Sequence, residues 1–168
     1  MARDFSKIKA GPCSITYNSV DLGHSQGGVE VSYDAKWRDM LVDEYGETVV
    51  DKYFQGESLE LTVKMTQSQF ATLKALMPKY TYEAGSYLAF GTTIDGTKLS
   101  DEAAILTLHP FETTGTTHDL TVFKAAVGGV VGWSYNNDGD RVYAVVFIAL
   151  INSSLTDGQR LFKIGSAN

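Results

Sequence analysis

The sequence predicts a mainly β protein: an antiparallel β-sandwich or split barrel with one short flanking α-helix, a long β-hairpin with an extended tip loop, and N- and C-terminal arms. Three observations predict it. Val29, Val31, Tyr33, Ala35 and Trp37 alternate with Glu30, Ser32, Asp34, Lys36 and Arg38, and Leu59, Leu61, Val63 and Met65 alternate with Ser58, Glu60, Thr62 and Lys64; period-two alternation is the mark of a half-buried strand. The 168 residues hold 16 glycines and only 3 prolines, a composition suited to tight turns. A single segment has helical spacing.

Residues 1–12 end in Ala-Gly-Pro without periodicity and read as an N-terminal arm. Cys13–Tyr17 alternates, Asn18-Ser19 is a turn pair, Val20–Leu22 is short, and residues 23–28 form a glycine-rich loop. The two alternating strands follow and pair as a hairpin, with residues 39–51 and a turn at Tyr45-Gly46 at its tip. Tyr33 and Trp37 share the apolar side of their strand, which places both in the core. The helix is expected over about 66–77, with Thr66 as N-cap, Phe70, Leu73, Ala75, Leu76 and Met77 on one side, and Pro78 ending it. Further strands are expected at Tyr87–Phe90, Ala104–His109 and Leu120–Val127, the last ending in a break at Gly128-Gly129. The final strand, Arg141–Ile151, follows a hairpin turn at Asn136–Asp140. Because Val142 to Leu150 is apolar on both faces apart from Tyr143, that strand is expected to be covered on both sides, one cover coming from another chain. Residues 153–168 form a C-terminal segment, and the length favours one domain spanning 1–168, able to bury roughly 70% of its unfolded surface.

Charge narrows the function. The formal net charge of −6 argues against a protein that grips phosphates. The arms carry +2 (residues 1–12) and +1 (residues 153–168), leaving −9 for the body. Residues 39–51 alone hold Asp39, Asp43, Glu44, Glu47 and Asp51 and no base. No apolar run reaches the ~18 residues of a membrane span, and the N-terminus lacks a signal-like apolar stretch, so synthesis and retention in a cytoplasm are expected. One cysteine, Cys13, excludes an internal disulfide.

Catalytic and metal chemistries find little support. His109, Glu112 and His118 lie close in sequence, but their spacing matches no zinc pattern. Cys13 could act as a thiol nucleophile only beside a histidine, and its alternating context favours a structural cysteine. Asn136–Asp140 lacks the spaced carboxylates of a calcium loop. Phosphate-cradling and serine-hydrolase motifs are missing, and Asp43-Glu44 and Asp101-Glu102 read as solvated turns. The chain is therefore expected to be a non-enzyme without cofactor or metal. Tyr80, Tyr82 and Tyr87 could form a sugar-binding platform on a β-sandwich, although packing is the ordinary use of such rings.

The run from Ser14 to Met65, with "YNSVDLG", then "GGVEVS", then "VDEYGETVVDKYFQGE" and a closing alternating strand, resembles the N-terminal half of bacteriophage tail tube (major tail) proteins. What the resemblance implies is a virion structural protein, made in the bacterial host cytoplasm, whose subunits form stacked hexameric rings. The long strands would join across subunits around a lumen that holds the tape-measure protein and later passes double-stranded DNA. Further partners implied are the tail terminator, the baseplate or distal tail proteins and, in contractile tails, a sheath.

Two site expectations follow from the resemblance. Contacts between stacked rings would involve the basic arm residues Arg3, Lys7 and Lys9 and the tip residues Met40, Leu41, Val42, Asp43, Glu44, Glu47, Val49 and Val50. The lumen would be lined by Glu30, Ser32, Asp34, Lys36, Ser58, Glu60, Thr62 and Lys64, a net of −1 per subunit, over which DNA slides without binding. Two alternatives stand beside this one: a ring component of a contractile injection or secretion apparatus, and a monomeric carbohydrate-binding module.

Overall fold

In a computed structural model the chain is described at residues 11–66, 69–77, 81–84, 86–89, 96–112, 115–133 and 141–166. Among these residues ten strands and one α-helix follow in order: β1 (Cys13–Tyr17), β2 (Val20–Asp21), β3 (Ser25–Met40), β4 (Asp51–Met65), α1 (Phe70–Leu76), β5 (Thr81–Glu83), β6 (Tyr87–Ala89), β7 (Ala104–Pro110), β8 (Leu120–Trp133), β9 (Tyr143–Ala149) and β10 (Phe162–Ile164). Eight of the strands form one antiparallel sheet in the order β2-β1-β7-β8-β9-β4-β3, with β10 on β8, and β5 and β6 pair separately. The predicted mainly β architecture with a single short helix is what the chain adopts.

The sheet is open, and it folds over on itself. Tyr17 of β1 and Phe147 of β9 are three strands apart in the pairing order, a separation of about 14 Å in a flat sheet, yet their ring centroids lie 5.1 Å apart. The fold brings Ile15, Tyr17, Leu106 and Leu108 against Leu59, Leu61, Val63, Met65, Val145 and Phe147 in one buried cluster, which also holds Leu73 and Leu76 of α1 and Met77 at its C-cap. Tyr17 keeps its hydroxyl satisfied in this apolar setting by donating to the backbone oxygens of Glu102 and Ala125.

Several expectations are corrected. Tyr33 and Trp37 are not core residues: they are 49% and 55% exposed, because β3 is the outermost strand and runs past the layer that covers β4 and β9. The helix is shorter than expected and starts after Gln69; Thr66 caps nothing, since its backbone N–H and its hydroxyl both donate to the His24 carbonyl and extend the β3–β4 ladder. The loop expected at 23–28 is largely strand, β3 beginning at Ser25. Gly128-Gly129 is no break: β8 continues to Trp133 through a bulge. Part of the second cover expected for the last strand comes from this chain itself, since in that bulge Gly128 lies against Ile148, with Leu99 beside it, and Gly129 against Val146. The turn expected at Asn136–Asp140, and Pro78 and Phe90, lie outside the described residues.

Candidate functional site

The hairpin of β3 and β4 is the feature that the core does not explain. Its register runs from Ser25 opposite Met65 to Met40 opposite Asp51. β9 supports β4 only between Glu60 and Met65, so among the described residues the half beyond Leu59 is a two-stranded ribbon. A ribbon alone is marginal in water. Local side-chain pairs hold it: the Trp37 and Phe54 rings meet edge to face, Arg38 lies 5.6 Å over the Tyr53 ring, and Lys52 pairs with Asp39 at 2.7 Å. The cation–ring and ion pairs are exposed and contribute about 0–1 kcal/mol each. Nearer the body, Tyr33 donates to the Glu57 carboxylate at 2.8 Å and its ring meets Phe162. That hydrogen bond, ahead of desolvation and the Glu57 charge, pushes the Tyr33 phenol above its ordinary value.

The tip comprises residues 41–50, with a 3-10 turn at Asp43–Tyr45, and it is closed by the Val50 N–H donating to the Met40 carbonyl. Asp43, Glu44 and Glu47 are exposed, and so are Leu41, Tyr45, Val49 and Val50, while Met40 and Val42 are half-buried. Acidic and apolar side chains thus share one projecting end. Arg3, Lys7 and Lys9 lie outside the described residues.

Pairing brings the expected lumen residues together. Glu30 faces Thr62, Ser32 faces Glu60, Asp34 faces Ser58 and Lys36 faces Gly56. Strand alternation puts them on the side opposite Leu59, Leu61 and Val63, away from the core. No charged residue of this set stands directly across from another, so each charge is left to water. Across β9 the same face continues through Lys64 opposite Ala144, Thr62 opposite Val146 and Glu60 opposite Ile148. The surface therefore grades from charged at β3 to apolar at β9, an extension that the alternation of the two long strands did not reveal.

A second edge was missed in the sequence. β7 pairs with β8 only from Leu120 to Ala125, so β8 from Ala126 to Trp133 has β9 on one side and, among the described residues, no strand on the other. The signal was available in Val130, Val131 and Trp133, but Gly128-Gly129 read as a terminator. Among the described residues the four strands β3-β4-β9-β8 thus form a sheet with two outer edges that no strand pairs, β3 and the Ala126–Trp133 half of β8. Each neighbour is antiparallel, so the edge strands β3 and β8 also run in opposite directions.

The remaining candidates are placed as follows. His109 Nδ1 is 2.6 Å from Asp119 Oδ1, and Glu112 and His118 are exposed on the adjoining loop; among the described residues no three His, Cys, Asp or Glu side chains could hold a metal ion together. Cys13 is half-buried against the core, and that burial pushes its thiol above the ordinary 9.0, opposite to the direction of thiol activation. Tyr87 is exposed, whereas Tyr80 and the Tyr82 ring lie outside the described residues. Among the described residues no helix is long and apolar enough to cross a membrane. No protein-family model and no curated protein matches this chain.

Proposed function

We propose that this chain is a self-assembling tube protein of a phage tail, forming stacked hexameric rings that guide the tape-measure protein and DNA. The observation that carries the reading is the four-stranded sheet with two open edges of opposite direction. A rotation that sets β3 of one copy beside β8 of the next keeps every neighbour antiparallel, and a repeated rotation closes a ring without a free edge. The polar face of β3 and β4 would then look into the lumen, since the core occupies the other face. Six copies of a net −1 lining repel phosphates where fixed cations would hold them.

Stacking would use the projecting tip. Leu41, Tyr45, Val49 and Val50 supply apolar adhesion to the next ring, and Asp43, Glu44 and Glu47 attract the basic arm. A component of a related injection or secretion apparatus would share this assembly and differ in its partners. Negative-stain microscopy of the concentrated protein tests the reading. Rings or tubes are expected, and monomers that stay dispersed at high concentration overturn it.

A further inference from the structure

We infer that matched bulges on the two open edges set the register between adjacent copies: residues 26–28 of β3 seat against residues 128–130 of β8 in a second copy. The inference rests on the ring reading above. Ser25 and Val29 pair with Met65 and Val63, so Gln26, Gly27 and Gly28 together occupy the place opposite the single residue Lys64. Val127 and Val131 pair with Phe147 and Val145, so Gly128, Gly129 and Val130 occupy the place opposite the single residue Val146. Each outer edge thus carries two surplus residues.

The two bulges agree in more than length. Each replaces a residue of the polar face, because the flanking partners Val63, Met65, Val145 and Phe147 point into the core. Each leans on the inner neighbouring strand: a Cβ on Gly27 would lie 3.6 Å from Lys64 Cδ, and one on Gly129 2.5 Å from Val146 Cβ. Their heights differ by a small stagger. Lys64 pairs with Ala144 and Thr62 with Val146, which sets the bulges two residues apart along the strands, about 7 Å. All six bulge residues are exposed, Val130 to 77%.

A bulge takes its surplus residues off the ladder and bends the strand. A regular partner strand therefore loses its hydrogen bonds at that point. Strands that tilt as a sheet closes into a ring are staggered from copy to copy; a partner set over by two residues, with an equal surplus, resumes pairing on both sides of a shared gap, whereas a partner slipped from that stagger meets the bulge with a continuous ladder. Among the described strands, β3 and β8 fit each other in this way.

The test is cross-linking of Gln26→Cys/Val130→Cys in a Cys13→Ser background. The concentrated protein is treated with a short bis-maleimide, and assembly is followed in parallel by sedimentation. A ladder of covalent multimers is expected, with monomer only from Gln26→Cys alone and from Val130→Cys alone, because the contact is heterologous. Sedimenting assemblies without a ladder overturn the bulge contact and leave the ring reading standing. Covalent dimers from either single-cysteine chain indicate a two-fold contact and also overturn it. If neither the variants nor the unmodified chain sediments as an assembly, the ring reading itself fails and the inference falls with it.

Discussion

Trp37 and Phe54 face each other across the hairpin with ring centroids 5.4 Å apart and planes inclined at 70°, and both residues are 55% exposed. An edge-to-face pair contributes about 0.5–1.5 kcal/mol beyond the area it buries. So large an apolar pair on a ribbon outside the core is costly in water unless something covers it. Trp37→Ala and Phe54→Ala should therefore lower the unfolding free energy of the monomer by no more than about 1.5 kcal/mol while abolishing assembly. Urea titration and sedimentation read the two effects separately; a variant that assembles normally would show that the pair serves only the ribbon.

Phe147 has the opposite profile. It is fully buried and packs on Tyr17 where the sheet folds over. Phe147→Ala should cost about 3–5 kcal/mol in the urea-derived unfolding free energy. A loss below 1 kcal/mol would mean that the two halves of the sheet do not meet there.

Gly129→Ala should destabilise the monomer by about 1–3 kcal/mol, the usual penalty for overpacking, since the added Cβ would stand 2.5 Å from Val146 Cβ. The contact atom is the β-carbon itself. Val146→Ala should consequently fail to rescue the variant, and Val146→Gly should relieve the clash. A thermal-melt comparison of the two double variants decides the matter.

Stability should fall in alkali. Burial, with the Glu102 charge adding to it and a backbone hydrogen bond from Ala104 opposing it, pushes the Tyr17 phenol above its ordinary 10.0, and burial pushes the Cys13 thiol above 9.0. A raised value means that the folded chain favours the protonated form. The stabilisation is complete below the ordinary values and is lost as pH climbs through them toward the folded ones. Urea midpoints should thus be level near neutrality, decline from about pH 9, and decline less in Tyr17→Phe/Cys13→Ser. A flat profile up to pH 11 would contradict this.

Reversing the arm, Lys7→Glu with Lys9→Glu, should slow tube growth at low salt and matter less at high salt, where exposed charges are screened. Light-scattering time courses at two salt concentrations follow it; equal rates for variant and parent would remove the arm from the contact.

How far the sequence reached depends on the range of the forces involved. Alternation from Val29 to Trp37 and from Leu59 to Met65 marked the hairpin because side-chain direction in a strand is local, and the eight polar residues on its outer face fell together for the same reason. Alternation cannot say whether an apolar face is covered. Tyr33 and Trp37 carry the same pattern as Leu59 and Leu61, and only the position of β3 at the edge of the sheet exposes them. Gly128-Gly129 misled because a terminator and a bulge use the same residue type; Val146 across the ladder separates the two. β10 is three residues long and exists through its pairing with Leu120–Val122, a contact that no window of sequence contains.

β4 is one unbroken strand with two environments. From Leu59 to Met65 it carries the centre of the core, and from Asp51 to Gln55 every side chain is exposed. Amide hydrogens in such a strand have two lifetimes, since local opening requires little where few apolar contacts resist it. Between Leu59 and Met65 exchange with deuterium should wait for global unfolding. Toward Asp51 it should proceed through fraying of the ribbon alone, and a docked neighbour would be recorded there first, as a slowing of the clock.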